Sequence, residues 1–401
     1  MKKSAIMAAL LLGASAMSAN ALDLSDGVVK IGVLNDQSGT YSDFGGRGSV
    51  AAAEIAIKEF DPESKGIKVE LVSADHQTKT DIASAIARKW YEAEQVDAIA
   101  DLTGSSVAIA VNNMARDLKK ITLMTGPGSA ALTNAECSPT GFHWGWDTYS
   151  QSVSSAKALL DQGFKSWFIL TSDYAFGHQM EADLRAEIAK EKGEVLGSVK
   201  HPLGAMDFSS FLLQGQASGA QVIALANAGA DTVNSLKQAA DFGIAQGGQL
   251  LAGMVVVMSD VQALGLQNAQ GLTFTTSYYW DRDEASRKFA NAFKDKMGVM
   301  PGMVHAATYS AVLHYLKSIE AAGSDNAETV AAKMREMPVR DDFTQTGSVR
   351  VDGRMITDMY LVKVKSPEES KGEWDYFNIL STIPAEQTAA PLDKSTCPFI
   401  K

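Results

Sequence analysis

The chain has 401 residues, with 47 acidic against 36 basic side chains and a net charge of −11 at neutral pH. A protein that binds nucleic acid or an anionic membrane surface needs basic surface, so the composition argues against both partners. The length exceeds what a single hydrophobic core usually serves and therefore favours two domains.

The first 21 residues have the layout of a secretory signal peptide. Two lysines start it, an apolar run covers residues 5–17, and Ala19 and Ala21 supply the small-x-small pattern that precedes a cleavage site. The run is shorter than the roughly 20 apolar residues that a transmembrane helix needs. We therefore expect cleavage after Ala21, export to a periplasm and no direct insertion into the membrane.

Strand-like and helical patterns then alternate. Short runs of β-branched and other apolar residues predict strands, and amphipathic stretches predict helices between them. The predicted elements are strands at 28–34, 67–73, 98–102 and 121–124 and helices at 50–60, 80–94 and 107–118. This βαβα order implies a parallel sheet with helices on both faces.

The same order restarts after Tyr149. The predicted strands are 166–170, 194–199, 221–225 and 249–257, and the predicted helices are 151–162, 177–192, 208–216 and 232–242. The sequence thus predicts an α/β protein with two doubly wound parallel-sheet lobes joined by a hinge.

The character changes after Gly271. The predicted elements are a strand at 272–279, helices at 284–296, 303–321 and 325–337, and antiparallel strands at 347–351, 356–365 and 374–379. Elements that would complete the first unit arrive late, so the chain crosses between lobes more than once. The expected division is residues 28–146 with 277–352 for lobe 1, residues 147–276 with 353–380 for lobe 2, and a tail at 381–401.

The chain has two cysteines, Cys137 and Cys397. In an oxidising compartment an even pair favours a disulfide. Such a bond would tie the C-terminal tail to the first third of the chain. The alternative is two separate thiols.

Seven segments carry a family resemblance when they are taken in order. They are residues 28–57, 99–111, 121–137, 168–184, 201–212, 222–239 and 304–316. The set resembles the branched-chain amino acid-binding (Leu/Ile/Val-binding) family, the type I periplasmic binding proteins of ABC importers. The resemblance implies a bilobed receptor that closes on a small ligand between its lobes and docks on the permease subunits of the importer. We also expect a monomer without a cofactor.

Two loops are candidates for a carboxylate clamp. Gly104 and Ser105 lie between a strand and a helix, where backbone N–H groups and hydroxyls can bind an anion. Gly126, Gly128 and Ser129 follow the next strand. The resemblance assigns both loops to the ligand's carboxylate. The alternatives are that the serine merely caps its helix and that the second loop is an ordinary Gly-Pro turn.

Aromatic residues lie at other strand ends. The resemblance implies that they cover the ligand, and the alternative is that they are ordinary core or surface residues. The predicted set is Phe44, Tyr174, Phe176 and Tyr278. Trp144 and Trp146 lie at a crossing between the lobes and are interpreted as hinge packing.

One departure from the family concerns the ligand. Amino acid-binding members hold the ligand's ammonium with an acidic residue in the second lobe, but none stands near Val255, and the family's tyrosine is replaced around Asn227 and Ala228. A buried ammonium without a carboxylate partner is heavily penalised. With Asn227, Ala228 and Val255 as further ligand-binding residues, we predict a small carboxylate with an aromatic or apolar body. The alternative is a receptor for branched-chain or other amino acids or amides.

The sequence gives little support for a catalytic site. No two of the six histidines stand at metal-ligand spacing, so no metal site is expected. A GxGxxA pattern at residues 46–51 begins about eleven residues after the first strand, whereas a dinucleotide-binding fingerprint follows its strand at once. A nicotinamide-dependent enzyme is therefore a remote alternative, and we expect no enzymatic activity.

Overall fold

The computed structural model describes residues 22–400, and its first lobe is built on a five-stranded parallel sheet of order β2-β1-β3-β4-β5. The strands are β1 Val29–Asn35, β2 Val69–Asp75, β3 Ala98–Asp101, β4 Ile121–Met124 and β5 Gly141–His143. The helices between them are α1 Gly46–Phe60, α2 Thr80–Glu92 and α3 Ser105–Asp117. Strands β3 and β4 are buried throughout, as expected for a parallel sheet covered on both faces.

The second lobe is built on a four-stranded parallel sheet of order β7-β6-β8-β9. Its strands are β6 Ser166–Ser172, β7 Glu194–His201, β8 Val222–Ala226 and β9 Leu250–Gly253. Its helices are α4 Thr148–Gln151, α5 Lys157–Asp161, α6 Ala175–Lys190, α7 Ser209–Ala217, α8 Ala230–Asp241, α9 Met258–Leu264 and α10 Leu266–Ala269. A π-helical turn, Ser152–Ala156, joins α4 to α5.

The strand predicted at 249–257 is shorter than expected. It ends at Gly253, and the rest of its apolar run continues as buried chain that leads into α9. An apolar run shows that a segment is buried, but periodicity alone does not identify its secondary structure.

The chain then returns to the first lobe and ends in short antiparallel sheets. Strand β10 Thr273–Thr276 is followed by α11 Glu284–Met297, α12 Met303–Ala322 and α13 Ala327–Glu336, and α12 packs along α1. The last elements are β11 Ser348–Val349, β12 Met355–Ile356, β13 Met359–Val364, β14 Phe377–Ile383 and α14 Ala385–Thr388. Strand β13 pairs with both β10 and β14.

The region around Arg354 lies beside the first lobe. Arg354 forms a bridge with His143, and its buried guanidinium donates through Nε to Oδ2 of Asp147 at 2.8 Å. The chain therefore still contacts the first lobe just beyond residue 352, where the sequence places the start of the last second-lobe segment.

The predicted disulfide is confirmed. Cys137 and Cys397 are bonded, with their Cα atoms 5.7 Å apart. The neighbouring Asn134 side chain accepts a hydrogen bond from the Thr396 amide at 2.8 Å. The C-terminal tail is thus fixed to the first lobe.

Within residues 22–400, no helix is both long and apolar enough to cross a bilayer. The predicted signal peptide and its cleavage site lie outside the described residues.

Candidate functional site

A small cavity of about 10 Å³ lies between the two lobes, where the strands of both parallel sheets end. This is the expected place for a ligand in open α/β sheets. Eight predicted site residues line it: Phe44, Gly104, Ser105, Gly126, Gly128, Tyr174, Phe176 and Ala228. The remaining lining residues are Tyr41, Thr103, Pro127 and Trp146.

The loop between β3 and α3 has an unusual backbone. Asp101, Leu102 and Gly104 all have positive φ angles, of 71°, 59° and 98°. Such conformations cost free energy for residues other than glycine and concentrate at functional sites. They direct the chain into α3, which begins at Ser105 without a side-chain cap. The first-turn N–H groups of α3 therefore suit an anion.

A buried carboxyl group supports this loop from below. Asp101 accepts hydrogen bonds from Asn35 Nδ2, at 2.8 Å, and from the Thr103 hydroxyl. Burial raises the pKa of Asp101. A Cβ atom on Gly126 would lie 2.1 Å from Asp101 Oδ1, so only glycine fits there. Sequence reasoning missed Asp101 and Asn35, because one-dimensional patterns do not show which side chains lie beneath a loop.

The second loop is held by hydrogen bonds. Ser129 N donates to Ser105 Oγ at 3.1 Å, and the Thr148 amide donates to the Gly128 carbonyl at 2.7 Å. The Ser105 hydroxyl therefore accepts a hydrogen bond from the protein and is still able to donate its own proton. Ser129 does not line the cavity but orients Ser105.

His143 supports the same loop from the side. Its Nε2 lies 2.8 Å from the Pro127 carbonyl oxygen. Burial lowers the pKa of His143 to about 4, so the ring is neutral and donates this bond from Nε2.

Five aromatic rings surround the cavity, and we call them the aromatic belt: Tyr41, Phe44, Trp146, Phe176 and Tyr174. Successive ring centroids lie 6.1, 5.7, 6.1 and 6.0 Å apart. A hydrogen bond between the hydroxyls of Tyr41 and Tyr174 closes the circuit. Tyr41 and Phe44 belong to the first lobe, whereas Tyr174 and Phe176 belong to the second.

The sequence interpretation of the two tryptophans needs correction at Trp146. Trp144 is packed away from the cavity and donates to Ser310 Oγ at 3.0 Å. Trp146 lines the cavity and touches both Phe44 and Phe176. The intervening Gly145 has a φ of 86°, which changes the chain direction between the two rings. Sequence reasoning also missed Tyr41, although it lies only three residues before Phe44.

Three further predicted residues do not line the cavity in this structure. Asn227 is buried and bonds to Thr232, Ser235 and His201. Val255 is fully buried in the core. Tyr278 donates to the Ser286 carbonyl at 2.7 Å and stacks on Phe343, on the first-lobe side.

The two lobes are closed on each other beside the cavity. Ala230 N, at the start of α8, donates to the Thr40 carbonyl at 3.1 Å. Ser259 Oγ, at the start of α9, donates to the Asp43 carbonyl at 3.0 Å. The first-lobe segment from Thr40 to Asp43 is thus hydrogen-bonded to the first turns of two second-lobe helices.

None of the residues lining the cavity is acidic, basic or a histidine. Among residues 22–400, no cluster of three or more His, Cys, Asp or Glu side chains could hold a metal ion. Asp231 and Asp36 are acids that lie near Tyr41 of the belt, and burial raises the pKa of Asp231 to about 7. Asp231 Oδ2 accepts from the Gly204 amide at 3.1 Å. The lining therefore offers neutral hydrogen-bonding groups and aromatic faces.

Comparisons with known proteins agree with this architecture. The family model described as periplasmic binding protein matches residues 28–373. A crystal structure of a periplasmic binding protein from Burkholderia mallei is 43% identical, with a TM-score of 0.92 over 94% of this chain and 100% of the other. A branched-chain amino acid ABC transporter periplasmic ligand-binding protein from Burkholderia xenovorans LB400 is 41% identical, with a TM-score of 0.83 over 92% and 99%. The predicted fold is confirmed.

A more distant structure shares the fold. It is an ABC transporter solute-binding protein from R. palustris in complex with benzoate, 20% identical to this chain. The TM-score is 0.82, over 93% of this chain and 100% of the other.

Proposed function

Because this chain belongs to the periplasmic binding proteins, the solute receptors of ABC importers, we propose that it captures a small aromatic or apolar monocarboxylate for import. Like the members of its family and the matched structures, the protein is a binding receptor and not an enzyme. The observation that carries the proposal is the uncharged cavity, which combines an anion clamp with an aromatic belt.

The clamp argues for a carboxylate. Gly104, Ser105 and the loop from Gly126 to Gly128 bring a helix N-terminus and a hydroxyl proton to one region of the cavity. Together these groups suit the two oxygens of a carboxylate, and the helix dipole favours its negative charge. A net charge is thereby stabilised without a buried lysine or arginine.

The belt argues for a flat apolar body. Phe44, Trp146 and Phe176 are nearly fully buried and meet at steep angles, with interplanar angles of 75° and 69° at Trp146. Aromatic pairs favour such edge-to-face or offset arrangements, and a ligand ring packed against these side chains would gain contacts of the same kind. The fold accommodates an aromatic acid in the benzoate complex of its distant relative.

An amino acid is the second candidate, which the name of the Burkholderia xenovorans relative supports. Its ammonium would enter a cavity whose lining contains no carboxylate. Burying that charge unpaired is costly, so the aromatic acid is the better fit.

A thermal-shift panel on the purified exported protein tests the proposal. The panel contains benzoates, phenylpropanoid acids, aliphatic acids, branched-chain amino acids and amides. A ligand at 100 times its dissociation constant adds about 2.7 kcal/mol to the free energy of unfolding. We expect aromatic acids to give the largest shifts. Shifts with leucine or isoleucine and none with simple carboxylates would overturn the ligand class and leave the receptor function standing.

Two residues provide a check on the location of the site. We expect Phe176→Ala to lose binding of the aromatic acid, because it removes one wall of the belt. Phe242→Ala, at an exposed phenylalanine at the end of α8, is the matched control and should bind normally.

A further inference from the structure

A buried ion pair lies where the chain crosses between the lobes. Arg354 and Asp147 are 3% and 2% exposed, and Arg354 Nε donates to Asp147 Oδ2 at 2.8 Å. Arg354 Nη1 donates to the carbonyl oxygens of His143, at 3.2 Å, and Met355, at 2.8 Å. Burial alone would raise the pKa of Asp147, but the guanidinium beside it holds this pKa below its ordinary value, so the pair is ionised. Because desolvation offsets most of the attraction in such a pair, stability alone does not account for it.

The segment held by this pair, residues 143–148, supports the second clamp loop, residues 125–129. Three groups of the segment donate hydrogen bonds to carbonyl oxygens of that loop. They are His143 Nε2 to Pro127 at 2.8 Å, Trp146 Nε1 to Thr125 at 3.2 Å and the Thr148 amide to Gly128 at 2.7 Å. Arg354 binds the same segment near both of its ends, at the His143 carbonyl and at the Asp147 carboxylate. A late part of the sequence thus fixes an early loop of the solute cavity.

The C-terminal tail lies against the ion pair. A cavity of about 10 Å³ is lined both by the pair and by the tail, whose lining residues are Ala390, Pro391 and Ser395. This space holds about one water molecule, so the tail shields the pair from bulk solvent. Arg350 Nη1 donates to the Ala390 carbonyl at 2.7 Å, and the disulfide at Cys397 anchors the tail beyond it.

We propose that Arg354 is a positioning residue for solute binding. It holds the second clamp loop through segment 143–148, and the disulfide-anchored tail keeps its ion pair out of water. The inference rests on the proposed function for the place where the solute binds, and it applies to any ligand of that cavity.

A guanidinium suits this role better than an ammonium. Its planar fork binds the Asp147 carboxylate and two carbonyl oxygens at once, whereas lysine carries a point charge on a flexible stem. When the tail is released, water and salt reach the pair and weaken its attraction. The loop that the pair positions then becomes more mobile.

Hydrogen–deuterium exchange of the solute-free protein tests the positioning role. The variant is Arg354→Met with Asp147→Asn, which removes both charges together and keeps an asparagine cap for α4. We expect the Ser129 and Thr148 amides to exchange about tenfold faster, because the loop opens locally, while strand β8 keeps its wild-type protection. Arg354→Lys restores the charge without the fork and should give an intermediate rate.

The matched control is Arg287→Met with Asp281→Asn, which removes an exposed ion pair at α11 and should leave the loop protected. Faster exchange that includes β8 to the same extent would show general destabilisation, and unchanged exchange in the loop would show that Arg354 does not position it. Either result overturns the inference. If the variant that lacks both charges does not fold, Arg354→Lys gives the same measurement.

Salt dependence tests the role of the tail. The screening length falls about threefold between about 0.1 M and about 1 M salt. Exchange in the loop should be the same at both concentrations in the wild type and should accelerate with salt in Cys137→Ser/Cys397→Ser. If that variant does not fold, Arg350→Gln loosens the tail by removing its bond to the Ala390 carbonyl. Exchange that ignores salt after release of the tail would contradict its shielding role.

Isothermal titration with benzoate connects the loop to binding. Arg354→Met with Asp147→Asn should weaken benzoate binding about tenfold, and wild-type affinity in this variant would overturn the inference. A wild type that does not bind benzoate would count against the proposed function. The exchange measurements need no solute and would then decide this inference by themselves.

Discussion

The two faces of the cavity are made in different ways. The first lobe contributes loop backbone, hydroxyls and glycines at the ends of β3 and β4, together with rings that flank them. The second lobe contributes Tyr174, Phe176 and Ala228 and no clamp. Backbone groups are fixed by the fold, whereas side chains change with a single substitution. Under the proposed function, the first lobe would bind the carboxylate group of the ligand, and the second lobe would help to select the body attached to it.

The largest expected effect is on the free energy of unfolding, when the disulfide that ties the C-terminal tail to the first lobe is removed. The double variant Cys137→Ser/Cys397→Ser frees the tail and opens a loop of 260 residues. The chain-entropy model gives a loss of about 5 kcal/mol as an upper value. Urea denaturation of the variant and of the wild type measures it. Reduced wild type should match the variant, and an unchanged midpoint would show that the disulfide contributes nothing to stability.

The next largest effect is on ligand affinity, when the backbone of a first-lobe loop is forced to move. Gly126→Ala places a Cβ atom against Asp101 and Thr103, so the clamp must shift. We expect ligand affinity to fall about a hundredfold, equivalent to roughly 2.7 kcal/mol. Gly372→Ala is the matched control because a Cβ atom there meets open space. Titration that finds Gly126→Ala with wild-type affinity would place the carboxylate elsewhere.

The third effect concerns a buried acid of the second lobe. The pKa of Asp231 is raised by burial to about 7, against about 3.9 in an unfolded chain. Its contribution to stability is therefore fully present below pH 4 and is lost as the pH rises through 7. Asp231→Asn should reduce the fall in unfolding free energy between pH 5 and pH 8 by about 2 kcal/mol. Urea titrations at both pH values measure this change.

The control for this experiment lies on the same helix. Asp241→Asn changes an exposed carboxyl at the end of α8 and should keep the wild-type pH dependence. If Asp231→Asn behaves like Asp241→Asn, Asp231 is ionised in the folded protein over this range.

The smallest expected effect separates the contribution of the Ser105 hydroxyl to ligand affinity from that of the backbone N–H groups. Ser105→Ala removes one donor and leaves the N–H groups at the start of α3, so the affinity should fall only about threefold to fivefold. Ser106→Ala, one residue further along α3 and outside the lining, should have no effect. A loss of a hundredfold in Ser105→Ala would mean that the hydroxyl is the main ligand contact.

The fold was predictable because its signals are local and repeated. Runs such as residues 98–101 and 121–124 are short, apolar and separated by amphipathic helices, and both strands lie where their patterns predict them. The loops that follow them were predictable for the same reason, since parallel strands place their carboxyl ends at one edge. The disulfide followed from having two cysteines and an expected oxidising compartment.

The rest of the site depends on three-dimensional placement. Tyr41 and Trp146 reach the cavity because loops turn them inward, and Asp101 supports the clamp through a left-handed backbone at a residue other than glycine. Val255 and Tyr278 were expected at the ligand on the strength of their sequence positions, but their side chains pack elsewhere in this closed structure. Their role as ligand contacts stays a prediction.

The late return of the chain to the first lobe has a consequence for biogenesis. Helices α11 to α13 and the partner of Cys137 all lie in the last third of the sequence. If the protein is exported amino-terminus first, the first lobe cannot be completed until almost the whole polypeptide has crossed the membrane. During export, the first-lobe sheet would lack α11 to α13 until those helices had also crossed the membrane. The second lobe is more continuous in sequence and could begin to fold earlier. The order of folding would then run against the order of synthesis.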